Sequence, residues 1–402
     1  MRTGPARGTL RFPGGSRIVV AAKSHHDEAG RDDDRTRTGA PATMKPVQVL
    51  AKADRASLAA FDAIIDVRSP GEFALDHLPG AINLPVLDDA QRAEVGTIYV
   101  QESRLRANRI GAAHVARNIA QHLETALADR PETFQPLVYC WRGGQRSNAM
   151  ATILARVGWR TTVLDGGYRT YRRAVQTRLY DAPCALDLVL LDGDTGSAKT
   201  AILHALARRG VQILDLEGLA RHRGSLFGAT GQPQPDQKRF ESQLLAALDG
   251  LDPAQPVIVE AESSKIGNRV IPPGLWDARR RAPRIEVAAP LAERARYLVE
   301  AYGDIAAQGE SLLAILERLP VPIAQRRLNA WRQMVADGAF TDLAEALMAA
   351  HYDPAYARGR RKSEQSTLAT IALERLDAAA IEDAADRITD TILARSSVVG
   401  PS

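Results

Sequence analysis

Cysteine is scarce in this chain: Cys140 and Cys184 are the two in 402 residues. That excludes a disulfide-stapled scaffold and fits a reducing cytoplasm. No apolar run approaches the length needed to cross a bilayer, so no membrane partner is expected. The brief apolar patch Ile18 to Ala22 is too short for a signal-peptide core and has no clear small-residue cleavage site after it. Zinc-type ligand clusters, zinc-knuckle spacing, an RNA-recognition sheet signature and internal repeats are all missing. Neither sign of charge dominates: 52 Lys and Arg against 48 Asp and Glu leave a net +4, with a pI near 9.1. An acidic partner is permitted and not demanded. What is present is ordinary globular composition, 45% hydrophobic and 25% charged, with length for two or three domains.

Residues 1–43 differ from the rest. They hold Gly14-Gly15, Asp32-Asp33-Asp34 and scattered Arg and Thr, and read as a disordered N-terminal extension. Met44, just before the first strand, is an alternative start.

The most informative stretch is Cys140-Trp141-Arg142-Gly143-Gly144-Gln145-Arg146-Ser147. Leu137-Val138-Tyr139 before it reads as a buried strand, and Asn148 to Leu154 after it as a helix. A cysteine between strand end and helix start sits where backbone N–H groups converge, which favours thiolate over thiol. Gly143 and Gly144 let the backbone wrap an anion. Arg142 and Arg146 are the expected oxyanion ligands. A core cysteine is the alternative, but two glycines and two arginines are poor core material.

Upstream lie Asp66-Val67-Arg68-Ser69-Pro70, Gly71-Glu72-Phe73 and His77-Leu78-Pro79-Gly80-Ala81; downstream lies Asp165-Gly166-Gly167-Tyr168. With these segments residues 44–176 resemble a rhodanese-like domain, which implies an α/β fold and marks Cys140 as the active-site cysteine. Asp66 and Arg68 read as structural. Five residues separate Cys140 from Arg146, one more than in many sulfur-transferring rhodaneses. The loop resembles that of phosphatases of the same fold, and its width suits a tetrahedral oxyanion.

After a linker, 177–186, a second unit begins. Leu188 to Asp192 is a strand that runs into Gly193-Asp194-Thr195-Gly196-Ser197-Ala198-Lys199-Thr200, with a helix following. This is a P-loop pattern with Ala198 at the second glycine position. Gly193, Thr195, Gly196, Ser197, Lys199 and Thr200 are the expected phosphate ligands; Thr200 can hold a phosphate or a magnesium ion. The methyl of Ala198 is expected to crowd the phosphate or alter the loop. Apolar runs at Val211, Pro256 and Ile285 add strands, and Glu260 or Glu262 at a strand end can orient a metal or water. Residues 187–290 thus read as a parallel-sheet P-loop domain, with ligands at the strand C-termini. Residues 291–397 read as mainly helical, over Leu291–Tyr302, Ser311–Leu319, Ile323–Asp337 and Leu343–Tyr352. Basic runs at Arg279–Arg281, Arg326–Arg327 and Arg358–Lys362 are either solvated faces or a nucleic-acid path.

A rhodanese-like domain followed by a P-loop domain, with Asp215-Leu216-Glu217-Gly218-Leu219-Ala220, His222-Arg223-Gly224-Ser225-Leu226-Phe227-Gly228 and Glu260 to Gly267, resembles the bacterial tRNA 2-selenouridine synthases. The resemblance implies a transferase that replaces sulfur by selenium at C2 of a wobble 2-thiouridine. Geranyl diphosphate first alkylates the sulfur, and selenium from selenophosphate then displaces it. It further implies tRNA as partner, and an enzyme that supplies selenophosphate. Cys140 is then the nucleophile or selenium carrier, and His222 and Arg223 are candidates for stabilising the leaving group. A sulfurtransferase, a phosphatase and a non-catalytic RNA-binding protein are the rival readings. Metal ligands and oligomeric state are left open.

Overall fold

The computed structural model describes residues 45–224, 228, 231–261, 263–301, 316, 324–361 and 365–398, all within one unit of the chain, 43–402. The N-terminal extension, Met44, Ser225 to Phe227, Glu262, the helix expected from Ser311 to Leu319 (Leu316 apart) and Lys362 lie outside the described residues.

Short apolar runs form the first sheet. Strands β1 (Gln48–Leu50), β2 (Ala63–Asp66), β3 (Ala81–Asn83), β4 (Pro136–Tyr139) and β5 (Thr162–Leu164) pair in parallel in the order β1-β5-β4-β2-β3. Every residue of β4 and β5 is buried, as expected of strands covered on both faces. In register, Ile65 faces Val138 and Asp66 faces Tyr139, so the ends of β2 and β4 that lead into the polar motifs line up at one edge. The crossovers are helices α1 (Arg55–Leu58), α2 (Pro70–Leu75), α3 (Asp89–Gln101), α4 (Arg104–Glu124) and α5 (Gln145–Val157). Local signals bound them: a capping box of Ser69 and Glu72 starts α2, and Gly158 at φ +109 stops α5.

The stretch read as a linker is partly helical. Helix α6 (Tyr168–Gln176) runs directly into a π-turn at Thr177–Asp181 before the chain extends into the second sheet. That sheet holds β6 (Leu188–Gly193), β7 (Gln212–Leu214), β8 (Val257–Glu260), β11 (Arg284–Ala288) and β12 (Thr367–Ala372), all parallel, in the order β12-β11-β6-β8-β7. Strands β9 (Lys265–Ile266) and β10 (Arg269–Val270) form a small antiparallel pair. The helices are α7 (Lys199–Arg208), α8 (Leu216–Ala220), α9 (Gln237–Leu248), α10 (Pro273–Arg281), α11 (Leu291–Ala301), α12 (Gln325–Ala336), α13 (Phe340–Leu347), α14 (Asp353–Arg361) and α15 (Ala378–Val398). Strand β12 is not anticipated by the sequence reading, which makes the region after Pro290 helical. It pairs with β11, and the apolar face of α15 closes over α7 with Ile202, Leu206, Ala385 and Ile388 in one buried cluster.

The two sheets share a core. Leu78, Tyr139, Tyr168 and Tyr171 from the first domain are packed with Phe240, Leu244 and Leu245 of α9. Several polar groups inside this seam are paired: Arg172 with Glu241, Tyr180 donating to Glu241 at 2.7 Å, and Tyr168 and Ser242 both donating to Asp76 Oδ2. Gly274 is needed at the same seam, since a Cβ there would stand 2.6 Å from the Ala182 carbonyl. Among the described residues no helix is long and apolar enough to cross a membrane.

Candidate functional site

Cys140 leaves the C-terminal end of β4 and faces the start of α5. The residue is 3% exposed; its Sγ accepts from Gly144 N at 3.3 Å and lies 3.3 Å from Ser147 Oγ. Burial pushes the thiol up. Hydrogen bonds from the Ser147 side chain and from the N–H groups of Ser147, Arg142 and Gly144 outweigh it, so the pKa lies below the ordinary thiol value.

The loop after β5 braces this cradle. Tyr168 N donates to Cys140 O at 2.8 Å and Arg169 N to Trp141 O at 3.3 Å. The approach leaves no room for side chains: Gly143 takes φ +66, and a Cβ on Gly167 would stand 2.2 Å from the Cys140 carbonyl.

The two expected oxyanion ligands are placed differently. Arg142 is exposed. Arg146 donates to Glu72 Oε2 at 2.8 Å, so α2 fixes its guanidinium. Burial raises the Glu72 carboxyl, but Arg146 and Arg92 bring it below its usual range. Asp66 and Arg68 are structural, as read: the pair is buried, with Arg68 Nη2 2.6 Å from Asp66, and Arg68 lies 4.1 Å over the Tyr168 ring. The sequence reading gives no role to Ser147, Glu72 or Asp76. Ser147 and Glu72 fall within the motifs around Cys140 and Asp66, but their roles come from contacts that spacing does not encode.

The second site is a cleft of about 950 Å3 at the C-terminal ends of β6 and β8, lined by Thr195 to Thr200. Gly193 and Gly196 are indispensable for the loop path: a Cβ on either would stand 2.6 Å from a backbone oxygen, of Val287 or Arg294. Ser197 Oγ donates to Asp194 O at 2.8 Å, and Lys199 Nζ to Gly193 O at 2.8 Å. Ala198 keeps a conformation usual for glycine. It adopts φ +59, ψ +24, the left-handed conformation glycine would supply, and its side chain is buried in the α7 cluster. The cost therefore falls on the backbone.

Thr200 Oγ1 donates to Glu260 Oε1 at 2.6 Å and approaches Glu217 at 3.3 Å. Among the described residues no group of three or more His, Cys, Asp or Glu is arranged to hold a metal ion. Trp276, Tyr297, Leu298, Tyr352 and Tyr356 add aromatic and apolar surface to the lining of the cleft.

His222 and Arg223 part company. Arg223 lines the cleft, whereas His222 does not. The His222 ring stands beside Gly267, and burial lowers its pKa. The basic runs divide too. Arg279 is buried and donates to the Glu260 carbonyl at 2.6 Å, while Arg280, Arg281, Arg326, Arg327 and Arg358 are exposed.

Residues 46–174 match the family described as rhodanese-like domain, and residues 186–314 match the tRNA 2-selenouridine synthase AAA domain. A tRNA 2-selenouridine synthase of Nitrosomonas europaea is 37% identical over 243 residues, 60% of this chain and 63% of that protein. One from Bdellovibrio bacteriovorus is 34% identical over 256 residues, 62% of this chain and 67% of that protein. The chain thus spans less than two thirds of the first relative and about two thirds of the second. Among solved structures, a rhodanese-related protein from Thermoplasma volcanium aligns with 32% of this chain and 92% of its own length, at 16% identity and a TM-score of 0.21.

Proposed function

The chain belongs to the tRNA 2-selenouridine synthase family, and from that premise we propose that it exchanges sulfur for selenium at C2 of a wobble 2-thiouridine in tRNA. The observation that carries the reading is the coexistence, around one shared core, of a cysteine loop whose N–H groups converge on the sulfur and a P-loop cleft lined in part by aromatic residues.

The cleft suits geranyl diphosphate. Backbone N–H groups at the start of α7 and Lys199 favour the diphosphate, and Trp276, Tyr297 and Leu298 favour an apolar chain. The thiocarbonyl sulfur attacks the geranyl carbon, and diphosphate departs with the C–O electron pair. Neutralising that pair is the task of the loop. Thr200, Glu217 and Glu260 offer the oxygen ligands magnesium takes beside phosphate oxygens, and the ion would supply further charge neutralisation there.

The Cys140 loop suits selenophosphate. Selenium in selenophosphate is already at the selenide level, so loading it onto sulfur would need an oxidant. Attack by selenium on C2 needs none: C–Se forms, and the geranylated sulfur leaves with its electron pair. The Cys140 thiolate then attacks phosphorus. S–P forms, Se–P breaks with its pair left on selenium, and water releases phosphate from the cysteine. Ser147, 3.3 Å from Sγ, is positioned to donate to the sulfur as it leaves.

The test is mass spectrometry of tRNA nucleosides from cells with and without the chain, grown with selenite. Selenouridine that depends on the chain supports the reading; its equal presence in both ends it. Lys199→Ala protein given pre-geranylated tRNA and selenophosphate should still form selenouridine. Failure of that step would end the division of labour between the two sites. Brisk turnover of p-nitrophenyl phosphate, with no selenium in RNA, would favour a phosphatase instead.

A further inference from the structure

Helix α14 is clasped to the P-loop along its length. Asp353 accepts from Arg294 at 2.8 Å, and the same guanidinium donates to the Thr195 carbonyl at 3.1 Å. The Tyr356 ring lies 5.7 Å from Lys199 Nζ. One turn further on, Arg360 Nη2 donates to Asp194 Oδ1 at 2.6 Å, so an arginine from a distant helix enters the loop that holds the phosphate ligands.

Arg360 has another terminal nitrogen, which is not taken up by Asp194. Its Nη1 is buried and makes no hydrogen bond among the described residues; the Glu286 carboxylate stands 3.9 Å away, beyond hydrogen-bond reach. A buried guanidinium donor is costly to leave unmatched. The side chain lines the same cleft as Lys199 and Thr200. Arg358, from the same basic run, is exposed, so the run does not behave as one solvated patch.

We infer that Arg360 is a further diphosphate-binding residue of this cleft, with Asp194 as its positioning residue. The assignment rests on the reading that the cleft binds a diphosphate. Asp194 occupies Nη2 and fixes the plane of the fork, which turns Nη1 to a phosphoryl oxygen. The chemistry asks for such a group. A diphosphate spreads its charge over two phosphoryl groups, and Lys199 brings a single point charge. A further cation beside the loop lets each phosphoryl group meet its own, and it counts most as the leaving group takes up the electron pair.

Calorimetric titration of the full chain with geranyl diphosphate, and separately with geranyl monophosphate, tests this. Arg360→Gln should weaken the diphosphate about 10- to 100-fold, the worth of one charged hydrogen bond, and leave the monophosphate close to wild type. Arg360→Lys should recover part of the affinity, since an ammonium cannot serve Asp194 and a phosphoryl oxygen in one plane. Asp194→Asn should weaken the diphosphate to a smaller degree. If Arg360→Gln does not fold, the Lys and Asn variants carry the same comparison. Wild-type diphosphate affinity in the Arg360 variants, with Lys199→Ala impaired, would overturn the role of Arg360 alone. No binding by the wild type, or undiminished binding by Lys199→Ala, would overturn the diphosphate reading and this assignment with it. Equal weakening of both ligands in Arg360→Gln would make Arg360 structural.

Discussion

The Ser242 hydroxyl donates to Asp76 at 2.9 Å, and this bond ties α9 of the P-loop domain to the end of α2 in the rhodanese-like domain. Asp76 is buried, and Tyr168 donates to the same carboxylate oxygen at 2.7 Å. Burial pushes the carboxyl up; the two hydroxyls only partly offset that. A raised carboxyl takes its proton more readily folded than unfolded. Its contribution is present at low pH and is lost as pH rises from the ordinary aspartate range through the folded pKa. Asp76→Asn should remove that slope from urea midpoints measured across a pH series. Asp76→Ala should destabilise by about 1–3 kcal/mol at acid and neutral pH, because both hydroxyls lose their acceptor. An unchanged slope in Asp76→Asn would show that Asp76 does not titrate in this window.

Cys140→Ala should abolish selenouridine formation while leaving the fold intact. The chemistry proposed for the loop makes a sharper distinction. If the thiolate acts at phosphorus, the variant should consume geranylated tRNA and accumulate a Se-phosphorylated nucleoside, visible by mass spectrometry. A selenium carrier would instead leave the geranylated tRNA untouched. In the wild type, activity should persist below the ordinary thiol pKa and fall as pH drops through the lowered value, since protonation removes the nucleophile.

Ala198 tests how magnitudes compete. Its φ of +59 costs on the order of 1–2 kcal/mol for an L-residue. Glycine would relieve that, but would lose about 0.8 kcal/mol of methyl burial and about 0.5–1 kcal/mol through unfolded-chain entropy. Ala198→Gly should therefore lie within about 1 kcal/mol of wild type in a denaturant melt. Ala198→Val, β-branched at positive φ in a buried spot, should cost more than about 2 kcal/mol, the sum of extra strain and overpacking. Equal stability of the two variants would mean that the left-handed conformation is not held in solution.

Arg280 and Arg281 are the exposed members of their run and test a tRNA path. Neutralising both should lower affinity about equally for all tRNAs. It should also flatten the dependence of log affinity on log salt, by about 0.9 for each phosphate the variant no longer neutralises. Filter binding over a salt series reads this. Unchanged slope would return these arginines to solvated helix ends.

The parts legible in the sequence are those with local signals. A short apolar strand followed by a glycine-rich turn and a helix marks both Cys140 and Lys199 without help from the rest of the chain. The Arg279–Arg281 run shows the limit. Its letters are identical, yet Arg279 is buried under the Glu260 carbonyl and its neighbours are exposed, a division that depends on which face of α10 meets the sheet. Glu72, Asp76 and Arg360 stay hidden for a related reason. Each acts through a partner far away in the chain: Arg146, Ser242 and Asp194.

The hardest element to foresee, β12, bears on how the molecule comes into being. It arrives long after β11 in the chain and supplies the outermost strand of the second sheet. During synthesis β11 therefore waits with an open edge, able to pair with another nascent chain. The rhodanese-like half has all its strands by Leu164, and its share of the common core is complete once α9 has followed. The nucleophile is thus assembled early, and the phosphate cleft, which also awaits α14, comes last. A chain cut short before Thr367 should carry a folded cysteine loop beside an aggregation-prone, unfinished sheet.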